Sequence, residues 1–207
     1  KEWALAEVAQ RLVLDKVRLA FGKRLRFCVS GGAPLNPVIG EFFASCNILV
    51  LEGYGLTETT AAIFVNTPFD YQVGTVGKAI GDVKIKFADD GEILIKSDKV
   101  MKEDYKDPKS TEQAFEDDWF KTGDIGELTD SGHLRITDRK KDLIKTANGK
   151  YVAPQKIEGL LKLNPLVSNA LIHGDQKKYV VALLSLDTEQ TKKWAHANGL
   201  GDSSIHE

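Results

Sequence analysis

The hydrophobic period changes once along this chain of 207 residues, near Val76, and the change limits the folds open to it. Upstream, apolar runs over 25–29 and 48–51 read as short buried strands separated by a helix over 37–45, the alternation of an α/β layer. Downstream, 83–87, 92–96, 126–128 and 133–136 alternate or cluster as short strands between the turn signals Asp89-Asp90-Gly91 and Asp130-Ser131-Gly132. The expected class is therefore α/β followed by a β-rich subdomain or distorted barrel. Gly31 and Tyr54 are expected just beyond strand C-terminal ends, where open α/β sheets bind ligands.

The remaining elements follow from local signals. Leu5, Val8, Leu12 and Leu19 mark one face of a helix over 1–20, and Gly22 suits its stop. The charged stretch 98–118 carries Asp107-Pro108 and predicts a surface excursion with a short helix over 111–115. Asn148-Gly149, set between 143–146 and 150–152, predicts a two-residue hairpin turn, since both residues tolerate positive φ. Pro154 opens a helix bearing Ile157, Leu160 and Leu161 that stops at Asn164-Pro165. Strands over 167–172 and 179–186 and a helix from Thr188 then begin a small α+β domain. The expected organisation is a first domain over 1–140, α/β to about 75 and β-rich over 76–140, and a second over 141–207.

Composition removes several function classes. A formal net charge of -2 provides no basic field for nucleic acid. Cys28 and Cys46 lack the Cys-x-x-Cys spacing of a zinc site and read as buried thiols in a reducing compartment. His133, His173, His196 and His206 are scattered. No apolar stretch approaches the roughly 20 residues that cross a bilayer, and the N-terminus lacks the charged-then-apolar signal pattern, so the expected location is cytoplasmic.

Three clusters carry chemistry. In Glu52-Gly53-Tyr54-Gly55-Leu56-Thr57-Glu58-Thr59 the aromatic ring of Tyr54 is flanked by glycines, which leaves a flat face for a purine. Thr57 offers a hydroxyl to a phosphate oxygen, and Glu58 offers a hard oxygen of the kind Mg2+ shares with phosphates. A helix read from Thr57 onward would add its positive end to the phosphate site. Lys121-Thr122-Gly123-Asp124 then places a carboxylate on a glycine turn, and Asp138-Arg139-Lys140-Lys141 is a basic knot. Each cluster also has a plain reading: Tyr54 as core, Asp124 as a turn carboxylate, 139–141 as a solvated basic run.

Taken in order, Gly31-Gly32-Ala33-Pro34-Leu35, Gly53-Tyr54-Gly55-Leu56-Thr57-Glu58-Thr59, Trp119-Phe120-Lys121-Thr122-Gly123-Asp124-Ile125-Gly126 and Asp138-Arg139-Lys140-Lys141-Asp142-Leu143-Ile144-Lys145 resemble the motifs of AMP-forming acyl-CoA synthetases. The run from Ile144 through Asn148-Gly149-Lys150-Tyr151-Val152-Ala153-Pro154 to Glu158 is similar to the long-chain fatty acid CoA ligase branch. The resemblance implies ATP, a fatty acid and CoA as substrates, Mg2+ as metal and AMP as product, through an acyl-AMP intermediate. It implies that Gly32 and Ala33 lie along the adenine, that Tyr54, beside Gly55, stacks on it, and that Thr57 contacts the α-phosphate. Glu58 becomes the magnesium carboxylate, Asp124 the acid on the ribose hydroxyls and Arg139 a second ribose or phosphate contact. Lys141 becomes the hinge of a small mobile domain, and Gly149 flanks the pantetheine arm of CoA.

The resemblance also implies absences. The Ser/Thr/Gly-rich phosphate loop expected before Gly31 and the catalytic lysine expected after Glu207 do not occur here, so the chain reads as a fragment with little adenylation activity alone. Two alternatives stay open: an acyl-AMP ligase that loads a carrier protein, and a non-catalytic nucleotide-binding module. Peripheral membrane contact, to collect a fatty acid, is compatible with either ligase. No oligomeric state follows from the sequence.

Overall fold

The computed structural model describes residues 13–22 and 24–200, and the chain divides into two compact units, Lys1–Ile136 and Thr137–Glu207. The first helix of the described residues is α1, Asp15–Ala20, closed by Gly22 at φ +86°. Leu5, Val8 and Leu12 of the expected apolar face lie outside the described residues, and Leu19 is exposed.

Strand β1 (Cys28–Ser30), helix α2 (Pro37–Ser45) and strand β2 (Val50–Gly55) form the α/β layer, with β1 parallel to β2. Helix α2 starts where the sequence predicts because the Asn36 side chain accepts the Val38 N–H at 3.0 Å and Pro37 has no N–H to lose. The sheet continues antiparallel through β3 (Ala62–Val65) and β4 (Lys78–Ala79), in the order β1-β2-β3-β4.

Three expectations in this layer need correction. Strand β1 is shorter than 25–29 and is not buried: among the described residues it is an edge strand with one neighbour, and Val29 is 69% exposed. Strand β2 runs on past Leu51, so Tyr54 and Gly55 lie inside it and not beyond its end; Tyr54 sits opposite Phe64 of β3. The helix expected from Thr57 is a single 3-10 turn, Thr57–Thr59. The Thr59 hydroxyl accepts the Leu56 N–H at 2.8 Å, and Thr60 takes φ +68°, a left-handed value that a right-handed helix cannot propagate through. The chain reverses into β3, and the helix dipole expected at the phosphate site is absent.

The β-rich part contains β5 (Lys84–Phe87), β6 (Glu92–Lys96), helix α3 (Pro108–Ala114), β7 (Phe115–Glu116), β8 (Trp119–Leu128) and β9 (Leu134–Arg139). Its strands run β5-β6-β8-β7, with β9 also paired to β8. Asp107 caps α3 by accepting the Ser110 N–H at 3.0 Å. Tyr54, Ile63 and Phe64 of the first sheet pack with Val83, Ile93, Ile95 and Leu134 in one buried cluster. The two sheets of this unit therefore share a core, in which each large aliphatic contributes roughly 1.5–3 kcal/mol.

The second unit opens with β10 (Ile144–Lys145) and β11 (Tyr151–Val152), followed by helix α4 (Pro154–Leu161). The hairpin lies where Asn148-Gly149 predicts, but its turn is different. Gly149 alone of the pair takes positive φ, at +77°, its N–H bonds the Thr146 carbonyl, and the Thr146 N–H bonds the Lys150 carbonyl. That is a three-residue loop with a glycine bulge, in which Asn148 needs no left-handed backbone. Strands β12 (Val167–His173) and β13 (Val181–Leu186) pair antiparallel, and helix α5 (Thr188–Ala197) follows, capped by Asp187. Glu158 ties α4 to β12 by accepting the Ile172 N–H at 2.8 Å. No helix among the described residues is long and apolar enough to cross a membrane.

Candidate functional site

The two residues assigned to adenine and ribose, 70 positions apart in sequence, are in contact: the Tyr54 hydroxyl donates to Asp124 Oδ2 at 2.6 Å. Tyr54 is 8% exposed and its ring lies 6.4 Å from that of Phe64, so the plain reading of this aromatic as core holds in this structure. Its polar end nevertheless reaches the carboxylate. Asp124 is 4% exposed, which removes the plain reading of a solvated turn acid.

Asp124 is not on a glycine turn; it lies within β8, at a bulge. Glu92 pairs with Ile125 and Leu94 with Lys121, so a single residue of β6 faces Thr122, Gly123 and Asp124. Three bonds hold the extra residues. The Gly123 N–H donates to Glu92 Oε1 at 2.9 Å, the Thr122 hydroxyl donates to the Ile93 carbonyl at 2.8 Å, and the Asp124 N–H donates to Thr122 Oγ1 at 3.1 Å. Gly123 takes φ +72°, which a side chain would strain. Glu92, buried to 4% exposure, thus sets the path that aims Asp124, and sequence reasoning missed it. Its signal was a carboxylate heading the apolar run Ile93-Leu94-Ile95.

Thr57 is exposed and Glu58 half-buried, on the turn that follows β2. The turn is fastened to a neighbouring loop: the Met101 N–H donates to the Glu58 carbonyl at 2.6 Å, and the Thr60 hydroxyl donates to the Lys99 carbonyl at 2.9 Å. Among the described residues no group of three or more His, Cys, Asp or Glu side chains could hold a metal. Glu58 alone suits Mg2+, which characteristically takes one or two carboxylates and draws its other ligands from phosphates and water.

Gly32 and Ala33 are exposed in a turn that rests on β2, where a Cβ on Gly31 would stand 3.3 Å from the Gly53 carbonyl oxygen. Gly55 has a packing reason to be glycine. A Cβ there would overlap the Ala61 carbonyl and stand 2.7 Å from Ala62 Cα.

Arg139, Lys141 and Gly149 belong to the second unit and are exposed there. Beside Arg139, Asp138 is 5% exposed; its Oδ1 accepts the Arg139 N–H at 2.7 Å, while Oδ2 has no hydrogen-bond partner among the described residues. Burial pushes the Asp138 carboxyl above the ordinary carboxylate range, and the charges of Asp142 and Glu158 push the same way against the Arg139 bond. A folded pKa above the unfolded one means that the folded state prefers the protonated acid. Its contribution is full below the unfolded pKa and is lost as pH rises through the folded one. Asp138→Asn is therefore expected to raise the melting temperature at neutral pH and to lose that advantage toward acid pH. Melts across the range check it; a variant less stable than wild type at pH 7 contradicts it.

Comparison with known proteins identifies the family. The sequence matches the AMP-binding enzyme family over residues 4–103 and the AMP-binding enzyme C-terminal domain over 141–200. It is 41% identical over 191 residues to the long-chain-fatty-acid–CoA ligase FadD15 of Mycobacterium bovis, covering 92% of this chain and 32% of that protein. It is 40% identical over 179 residues to long-chain-fatty-acid–CoA ligase 1 of Saccharomyces cerevisiae, covering 81% of this chain and 26% of that protein. The chain thus spans about a third or less of these curated relatives. Among solved structures, o-succinylbenzoate CoA synthetase of Bacillus subtilis with its acyl-adenylate superposes with a TM-score of 0.74 at 26% identity, covering 91% of this chain and 43% of that one. The same enzyme with ATP and magnesium gives a TM-score of 0.71 at 29% identity, covering 85% and 42%. Motif order and these matches lead to one conclusion: the chain belongs to the AMP-binding enzyme family.

Proposed function

We propose that this chain supplies the adenylate-holding part, and the start of the small C-terminal domain, of a long-chain fatty acid CoA ligase. The observation that carries the reading is the Tyr54–Asp124 hydrogen bond beside the exposed Thr57 and the Glu58 carboxylate, in a chain whose relatives are named for that activity. The fatty acid carboxylate attacks the α-phosphate of ATP, forming acyl-AMP as the bond to pyrophosphate breaks. The CoA thiol, losing its proton, then attacks the acyl carbonyl and AMP leaves.

Both steps gather negative charge, and fixed donors and cations aimed at that charge lower the barrier. The Thr57 hydroxyl donates to the α-phosphate, and Glu58 would hold Mg2+, which neutralises the phosphates and the departing pyrophosphate when bound. Asp124, held by Tyr54 and the bulge, accepts from the ribose hydroxyls, and the guanidinium of Arg139 adds a permanent charge for ribose or phosphate. Gly32 and Ala33 lie along the adenine, beside Tyr54 and Gly55. Lys141, at the start of the matched C-terminal domain, is the hinge used between the half-reactions, and Gly149 flanks the pantetheine arm. The boundary of the two domains falls at 140/141, and the ligase works in the cytoplasm.

The test is pyrophosphate exchange into ATP by the full-length protein carrying this stretch. Label is expected to enter ATP only when a long-chain fatty acid and Mg2+ are both present. No exchange with any acid contradicts the reading, and exchange with short or aromatic acids alone contradicts the long-chain assignment.

A further inference from the structure

Two residues before Tyr54, on the same strand, a second carboxylate is buried: Glu52 is 8% exposed. Its side-chain partner is a backbone amide: the Leu35 N–H donates to Glu52 Oε2 at 3.3 Å. Leu35 closes the turn containing Gly32 and Ala33, while Asn66, bonded to the Glu52 carbonyl, opens the loop between β3 and β4.

That second loop is itself well fixed. Asn66, 4% exposed, donates from Nδ2 to the Thr75 carbonyl at 2.6 Å and accepts the Gln72 N–H at Oδ1 at 3.1 Å, and its own N–H bonds the Glu52 carbonyl at 2.9 Å. Gln72 in turn accepts the Ser131 hydroxyl at 3.0 Å. By contrast the turn at 31–34 is exposed along its whole length and reaches this frame through Leu35.

We propose that Glu52 is a positioning residue for nucleotide binding, whose ionised carboxylate clamps the 31–35 turn to β2 and so fixes the backbone along which adenine lies. The proposal rests on the ligase reading. An acceptor-only carboxylate suits this role because it offers the Leu35 N–H an oxygen in either orientation of the carboxyl group, and a buried amide left without an acceptor is costly. Desolvation by burial raises the Glu52 carboxyl, and the Leu35 and Gly74 amides pull it back; no charged side chain among the described residues adds to the shift. Below the raised pKa the clamp loses a lone pair to a proton.

The experiment compares wild type, Glu52→Gln and Glu52→Ala in the full-length protein by two readouts: AMP affinity against pH, and amide exchange over 31–35 without nucleotide. Glu52→Gln, which keeps shape and one acceptor oxygen, is expected to weaken AMP binding about tenfold near neutral pH, and Glu52→Ala by more. Wild-type affinity is expected to fall at the acid end, with that limb missing in Glu52→Gln. Exchange at Leu35 is expected to quicken in both variants while exchange in the β6 core does not. Unchanged Leu35 exchange, or a uniform rise across the unit with no altered pH limb, overturns the clamp. Quicker Leu35 exchange with unchanged AMP affinity overturns its nucleotide role. Wild type that binds no AMP overturns the ligase reading, while the exchange result still decides whether the clamp exists.

Discussion

Asp124→Ala is expected to weaken AMP binding by about 1.5–3 kcal/mol, roughly ten- to a hundredfold, and to lower the melting temperature as well. The two effects have one cause. Asp124 is buried and receives the Tyr54 hydroxyl at 2.6 Å, so its removal leaves a buried phenol facing a void and, on the proposed role, strips the ribose of an acceptor. Tyr54→Phe keeps the ring and its packing against Phe64 while removing the shared proton. A double-mutant cycle of the two, read by AMP titration and thermal melts, is expected to show strong coupling because the residues touch. AMP affinity unchanged in a folded Asp124→Ala variant would remove Asp124 from the site, and additive effects would dismiss the Tyr54–Asp124 unit.

The second large effect is expected at Gly55. Within the motif this glycine reads as room for a ligand, but in the structure it makes room for backbone. The chain doubles back on itself through the 3-10 turn, and Ala61 crosses directly over the Gly55 Cα. An added methyl meets backbone of Ala61 and Ala62, which no rotamer change relieves. Gly55→Ala must therefore move β3 away from β2 at the register shift between Tyr54 and Gly55. Overpacking of this kind costs roughly 1–3 kcal/mol, and backbone obstruction puts it at the upper end. Chemical denaturation measures it. A Gly55→Ala variant as stable as wild type but weakened in AMP binding would return this glycine to the ligand.

Much of the fold was legible because it rests on local signals. Pro154 placed α4, the change of period at Val76 marked the passage to β-rich structure, and α2 and α5 start where expected, under the caps of Asn36 and Asp187. Apart from the turn at Thr57, the failures share a physical character: each depends on a partner distant in sequence. β1 lost its burial because β2 is its one neighbour among the described residues; β2 gained Tyr54 and Gly55 because β3 folds back onto them. The helix read from Thr57 failed when the Thr59 hydroxyl satisfied the turn locally. Asp124 read as a turn residue because a bulge, like a turn, uses a glycine at positive φ, and only the pairing with β6 separates the two. The residues of the four motifs stood out through their order. Glu52 and Glu92 did not, since a carboxylate that binds backbone amides has no sequence signature beyond its place in an apolar run.

The central claim is that Tyr54, Thr57, Glu58 and Asp124 hold an acyl-adenylate that CoA consumes. Its most direct test is mass spectrometry of the products formed by the full-length protein from Mg-ATP and a mixture of medium- and long-chain fatty acids, with and without CoA. The account predicts long-chain acyl-AMP without CoA and its replacement by acyl-CoA and AMP when CoA is added. Acyl-AMP that persists in the presence of CoA, as expected of a carrier-loading enzyme, or no adenylate with any acid, would contradict it.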